Sequence, residues 1–134
     1  MTLAANVVRV IHLALVLFVV IVPFAGKDTH WSVLAVHCMT VLTLLVHWIT
    51  KQNACFLTMV ESTLRGVPNT ESFMYSIVAP VYQIDDAKLR NIVHMVTPVL
   101  GLISAVKLSG KWNQMKEDLA KCWQTTRISP RLEI

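Results

Sequence analysis

The chain has 134 residues, of which 54% are apolar and only 15% are charged, with a net charge of +4. A soluble domain usually carries about 25% charged residues, so the composition argues against a soluble globular domain and favours a single membrane domain over residues 1–134. The modest net charge, without a glycine-rich phosphate loop or metal-finger spacing, excludes nucleic acid as an expected partner.

Three stretches of the sequence are long and almost free of charge, and they predict membrane-spanning helices at about 3–24, 31–49 and 86–108. A bilayer core requires roughly 20 helical residues, with about 17 to 25 tolerated. The predicted fold class is therefore all-α: a polytopic membrane protein with three transmembrane helices plus short interfacial helices. The alternative is three buried helices of a soluble protein. It is disfavoured because no amphipathic elements remain to cover such a core.

Proline and glycine residues end or bend these spans. Pro23 and Gly26 mark the end of the first span, and the short link after them makes the first two spans an antiparallel hairpin. Pro98 lies inside the third span, where it removes the helical hydrogen bond to the carbonyl of His94. Together with Gly101, this proline predicts a bend in the third span.

Between the second and third spans, residues 54–65 predict an interfacial helix that is too short to cross a bilayer. Asn53 is a favourable N-cap residue, and Gly66 is a favourable residue just beyond the last turn. Glu61 and Arg65 stand four residues apart, which is the spacing of an ion pair on a helix surface.

The apolar segment 72–84 is also too short to span, and Pro80 interrupts it. It predicts either a second surface helix or a re-entrant piece of chain. Asp85 follows this segment and is predicted to cap the third span.

After the third span, residues 111–125 predict an amphipathic helix. The residues at heptad-like spacing are Trp112, Met115, Leu119 and Cys122. The basic residues, which lie elsewhere around the helix, are Lys111, Lys116 and Lys121. A basic helix with tryptophans lies readily in the headgroup plane. A coiled-coil contact with a neighbouring helix is the alternative.

Three spans place the two termini on opposite sides of the membrane. Lysine and arginine are in slight excess on the side that holds the C-terminus, counting short loops and span ends. The positive-inside rule therefore predicts a cytoplasmic C-terminus.

Histidines are the most informative polar residues of the spans, because polar groups at membrane depth are costly and usually face the bundle interior. His12, His47 and His94 lie three or four residues inward of a basic residue, and the connectivity brings all three to one side. We expect them roughly 5 to 6 Å below that interface, at about 1.5 Å per helical residue. His37 lies in the opposite half of its span, and His30 lies in a link where we expect it to be solvated.

Several roles are open for these histidines. His12, His47 and His94, with Glu61, could form a shared site for zinc, copper or iron, or two of the imidazoles could hold a b-type haem axially. A proton relay is a further possibility. The favoured interpretation is interhelical hydrogen bonding with no cofactor.

No catalytic constellation is visible in the sequence, so we do not expect an enzyme. Ser62, Ser76 and Ser104 have no acid–base setting nearby. Asp85 and Asp86 form a helix start rather than a paired-carboxylate site.

The segment C-F-L-T-M-V-E-S-T-L-R, from Cys55 to Arg65, resembles the C-x-L-T-x-x-E-x-x-L-R signature of a family of small bacterial integral membrane proteins without an established activity. The preceding His47–Trp48 pair is similar to that family too. Small membrane proteins of this kind also resemble internal-membrane components of large DNA viruses. The resemblance implies a helix packed beside the spans. The motif positions carried over are Cys55, Thr58, Glu61 and Arg65.

These observations predict a non-enzymatic structural membrane protein that packs in the lipid bilayer with other membrane or capsid proteins, or with copies of itself. A component of a virion internal membrane, or an anchor for a capsid, is one version of this hypothesis. The residues expected at a partner or membrane surface are those of the C-terminal helix: Trp112, Met115, Leu119, Lys111, Lys116 and Lys121. The alternative function is a haem- or metal-binding membrane module.

Overall fold

A computed structural model describes residues 3–50, 55–66 and 73–127 of the chain. Within these ranges the protein is helical and contains no strand, as the all-α prediction expects. The helices in chain order are α1 (Leu3–Ile21), continued by a 3-10 turn (Val22–Phe24), α2 (Trp31–Thr50), α3 (Phe56–Arg65), α4 (Phe73–Val78), α5 (Asp86–Ser109) and α6 (Trp112–Arg127).

Three of these segments are long and apolar enough to cross a membrane: Leu3–Phe24, Trp31–Thr50 and Asp86–Ser109. Their lengths of 22, 20 and 24 residues fit the roughly 20 residues that a bilayer core requires. The three predicted spans are confirmed, and their bounds agree with the structure to within one residue. At most 22% of each apolar stretch is buried within the chain, so most of each span is available to lipid or to a neighbouring protein.

Helices α2 and α5 share the most extensive contact between the spans. A Cβ atom added to Gly101 would lie only 2.7 Å from Cγ1 of Val41, so glycine lets the two helices approach closely here. Val19, Val41 and Leu100 form the small apolar core at this level. Small residues at helix contacts are typical of membrane bundles, where close packing replaces the hydrophobic driving force.

Helix α5 continues through Pro98 from Asp86 to Ser109. The hydroxyl of Thr97 donates to the carbonyl of Val93 at 2.7 Å, one turn earlier. Asp85 occupies the predicted N-cap position of α5, but its side chain makes no capping hydrogen bond.

Helix α3 begins at Phe56 with Cys55 at the N-cap position, slightly later than the predicted start at residue 54. Asn53, the predicted cap, lies outside the described residues. Gly66 ends the helix in the left-handed conformation, with φ of 67°, and its N–H bonds to the carbonyl of Thr63. Gly66 therefore ends the helix as predicted. Glycine adopts this left-handed conformation without steric cost.

Only part of the predicted segment 72–84 is helical. Helix α4 covers Phe73–Val78, and the chain turns at Pro80 before α5. Phe73 is buried at the start of α4. The predicted amphipathic helix at 111–125 is found as α6, Trp112–Arg127.

Candidate functional site

Contacts between the spans show which parts of the helices are neighbours. His37 bonds to Val19 across α1 and α2, and Trp48 packs on His94 across α2 and α5. The common depth expected for His12, His47 and His94 stays a prediction.

The three histidines have separate aromatic neighbours. The ring of His12 stacks on Phe73 at 3.8 Å between centroids. The ring of His94 lies 4.4 Å from Trp48. His47 meets Phe56 edge-on at 6.3 Å.

No three His, Cys, Asp or Glu side chains in the described ranges are grouped so that they could hold a metal ion. The predicted metal site of His12, His47, His94 and Glu61 is therefore not assembled. Each imidazole has its own aromatic neighbour, and Glu61 is paired with Arg65. Axial haem ligation by two of the histidines stays a prediction.

The structure does assemble a different pair at this end of the bundle. Nε2 of His12 lies 3.5 Å from Sγ of Cys55, which joins α1 to the start of α3. His12 is only 5% exposed, Cys55 is half-buried, and Phe73 of α4 covers one face of the imidazole. Nδ1 of His12 is buried and has no hydrogen-bond partner. The sequence placed Cys55 and His12 on the same side but did not predict that they meet.

Polar groups of α3 accompany this pair. Nη2 of Arg65 lies 2.8 Å from Oε1 of Glu61, and the two side chains are only 23% and 12% exposed. The predicted ion pair is therefore present and largely buried. Nε of Arg65 and the hydroxyl of Thr58 are buried without a hydrogen-bond partner. We call the start of α1 together with α3 and α4 the polar end.

The opposite end of the bundle contains two residues whose roles the sequence analysis missed. His37 is fully buried, and its Nε2 donates to the carbonyl of Val19 at 3.0 Å. In an α-helix that carbonyl would accept from residue 23, which is Pro23 and has no N–H. The position of Pro23 is the signal in the sequence that Val19 needs a donor from elsewhere.

Lys107 is the second missed residue. Its ammonium donates to the carbonyl of Pro23 at 2.6 Å and to that of Ala25 at 2.9 Å. Carbonyls at a helix end have no partner within the helix, and an unpaired one costs several kcal/mol at membrane depth. Two side chains from α2 and α5 therefore complete the end of α1.

Helix α6 is attached at the same end. Nε1 of Trp31 donates to the carboxylate of Asp118 at 2.8 Å, and the ammonium of Lys111 donates to the carbonyl of Lys27 at 2.9 Å. His30, predicted to be only solvated, is exposed and also lies 3.8 Å from the Asp118 carboxylate. We call the end of α1 from Val19 onward, the link 25–30, His37, Lys107 and α6 the loop end.

The outward side of α6 carries large apolar residues that nothing in the described chain covers well. Trp112 and Leu119 are each 52% exposed and lie seven residues apart, on one face of the helix. Lys116 lies between them, with its ammonium 5.2 Å from the centre of the Trp112 ring. Of the predicted surface residues, Met115 is half-buried, Lys111 is used in the attachment, and Lys121 is exposed.

No protein-family model matches the chain, and no curated protein or solved structure shows significant similarity to it. The resemblance of residues 55–65 to the C-x-L-T-x-x-E-x-x-L-R signature stays a prediction.

Proposed function

We propose that this protein is a non-enzymatic structural subunit of a membrane, which packs beside partner proteins and presents α6 to them. The main supporting observation is that α6 is held in place on the bundle and yet exposes large apolar side chains. Trp31 and Lys111 attach the helix to the bundle, while Trp112 and Leu119 stay half-exposed. A surface helix held in one orientation loses little conformational freedom on binding, which favours its use as a docking element.

The chemistry of α6 suggests what its partner offers. Between residues 111 and 127 the helix region carries Lys111, Lys116, Lys121 and Arg127 against Glu117 and Asp118, which gives +4 − 2 = +2. Tryptophan and basic side chains together fit an apolar groove with an acidic rim. A virion membrane or capsid-anchoring component is the specific version that the motif resemblance favours. A membrane or capsid protein, or a second copy of this chain, is the expected partner.

Cys122 provides a direct test, because its thiol is exposed on α6. A maleimide–benzophenone probe attached to Cys122 in native membranes should give a photo-crosslinked protein adduct that mass spectrometry can identify. The double variant Trp112→Ala/Leu119→Ala should lose most of that adduct. The matched control, Asn113→Ala/Gln114→Ala, changes exposed polar residues on the same helix and should keep it.

Two results would overturn the proposal. The first is an adduct with lipid alone, which would make α6 a membrane-surface helix. The second is a protein adduct that both double variants retain equally.

Labelling of the same cysteine also tests on which side of the membrane the C-terminus lies. We propose that the C-terminus is cytoplasmic, as the distribution of lysine and arginine suggests. A membrane-impermeant maleimide should then label Cys122 in inverted vesicles and not in right-side-out vesicles. Cys38, half-buried within α2, should stay unlabelled in both and serves as the internal control. Labelling of Cys122 from the outer side would reverse the orientation.

A further inference from the structure

The histidine–cysteine pair at the polar end joins α1 to α3 and also places two metal-ligating groups side by side. A neutral imidazole has one N–H and one lone pair, so if Nε2 of His12 pairs with the thiol of Cys55, Nδ1 needs a partner of its own. That atom is buried without one. Burying an unpaired polar nitrogen costs free energy that an apolar side chain would avoid. A bound ion would add a stabilising interaction at this otherwise costly place, and a thiolate and an imidazole are both metal ligands.

We propose that His12 and Cys55 form a two-ligand site for the monovalent copper ion Cu(I). Nε2 of His12 and Sγ of Cys55 lie 3.5 Å apart and are brought together from α1 and the N-cap of α3. Thiolate ligands select Cu(I), and imidazole also suits copper. This site is independent of the docking function proposed for α6, and it is not the four-residue site predicted from the sequence.

Charge balance favours a monovalent ion at this depth. Cu(I), one thiolate and one neutral imidazole together carry no net charge, so the complex avoids the desolvation cost of a buried ion. A divalent ion with the same two ligands would leave one positive charge in an apolar site. Zinc also prefers four ligands. In the described ranges no third His, Cys, Asp or Glu is grouped with this pair to supply them.

The geometry requires only a small adjustment. Metal–sulfur bonds of about 2.3 Å and metal–nitrogen bonds of about 2.0 Å span roughly 4.3 Å in a linear arrangement. The present separation of 3.5 Å would therefore widen by roughly 0.8 Å, or by less if the bridge is bent. Cys55 precedes the first turn of α3 in an extended conformation, so its side chain can rotate without disturbing the helix.

The binding step is balanced without a redox partner. The Cys55 thiol loses its proton to solvent, a copper–sulfur bond forms, and the lone pair of His12 Nε2 completes the coordination. Copper enters and stays as Cu(I), so no electron is transferred. The stacked ring of Phe73 and the 5% exposure of His12 limit the access of water to the ion.

The test uses the 134-residue chain in detergent, kept reduced and anaerobic, with Cu(I) supplied as a coloured chelate. We expect the protein to withdraw one equivalent of Cu(I), with one sulfur and one nitrogen neighbour in the X-ray absorption spectrum. His12→Phe and Cys55→Ser should each weaken binding at least about tenfold. The controls Cys38→Ser, Cys122→Ser and His94→Phe should bind like the original chain.

Three outcomes would overturn the site: no withdrawal of Cu(I) by the original chain, unchanged binding in Cys55→Ser, or an equal loss in Cys122→Ser. If Cys55→Ser failed to fold, His12→Phe would still decide the question, because an apolar ring at this position should leave the fold intact. Loss of Cu(I) binding with the α6 crosslink retained would separate this site from the docking function.

Discussion

The two ends of the bundle hold α1 by contacts of different strength. At the loop end, His37 and Lys107 supply donors to the carbonyls of Val19, Pro23 and Ala25, so the end of α1 is hydrogen-bonded. At the polar end, α1 is held by the stacking of His12 on Phe73 and by the contact of His12 with the thiol of Cys55, which is a weak donor. Buried polar atoms without a partner occur at both ends, for example Nδ1 of His12 and Nδ1 of His37, so they do not distinguish the ends. The loop end is therefore the stronger anchor, and the polar end is where we place the proposed ligand site.

The largest expected effect comes from Lys107→Met at the loop end. This change removes two charge-assisted hydrogen bonds, to the carbonyls of Pro23 and Ala25, and leaves both acceptors unpaired. We expect the free energy of unfolding in detergent to fall by about 3 kcal/mol, since hydrogen bonds to charged groups contribute about 1.5–3 kcal/mol each. Lys111→Met is the control, because its bond to Lys27 is exposed and its loss should be much smaller.

A somewhat smaller loss is expected for His37→Leu. The substitution removes the donor to Val19, whose carbonyl has no helical partner at Pro23. Thermal unfolding should show a loss of about 2 kcal/mol, within the range for an unsatisfied buried group. His37→Gln, which keeps a side-chain donor, should recover part of it. Equal losses in both variants would mean that the shape of the imidazole, not its hydrogen bond, is what matters.

Trp31→Phe tests the attachment of α6. The phenyl ring keeps most of the apolar volume but cannot donate to the Asp118 carboxylate. Spin labels on Cys122 and on an engineered cysteine in the link 25–30 should report a broader distance distribution, with a stability loss of about 1 kcal/mol. Asp118→Asn keeps an acceptor oxygen and should change the distribution less. An unchanged distribution in Trp31→Phe would show that other contacts hold α6.

The smallest effect on stability is expected from His12→Phe at the polar end. The phenyl ring can keep the stacking on Phe73 and removes the unpaired Nδ1, but it also removes the contact of Nε2 with the Cys55 thiol. A thiol is a weak donor, so the lost contact and the removed unpaired nitrogen should offset each other, and the free energy of unfolding should change by less than about 0.5 kcal/mol. A loss comparable to that of Lys107→Met would contradict the contrast between the two ends.

Much of the architecture could be predicted from the lengths of the apolar stretches and from the positions of proline and glycine. The three spans, Gly66 at the end of α3, and the Glu61–Arg65 pair were all accessible because each depends on hydropathy or on spacing within one helix.

What the sequence by itself determined is the set of elements: three apolar helices, two short ones between the second and third, and an amphipathic helix at the end. Tertiary structure alone decided which polar groups meet. The rotation of each helix and the path of α3 brought Cys55, rather than His47 or His94, to His12. It also joined Lys107 to carbonyls more than 80 residues away. Helix periodicity fixes the face on which a side chain lies, but contacts between helices fix what that face meets.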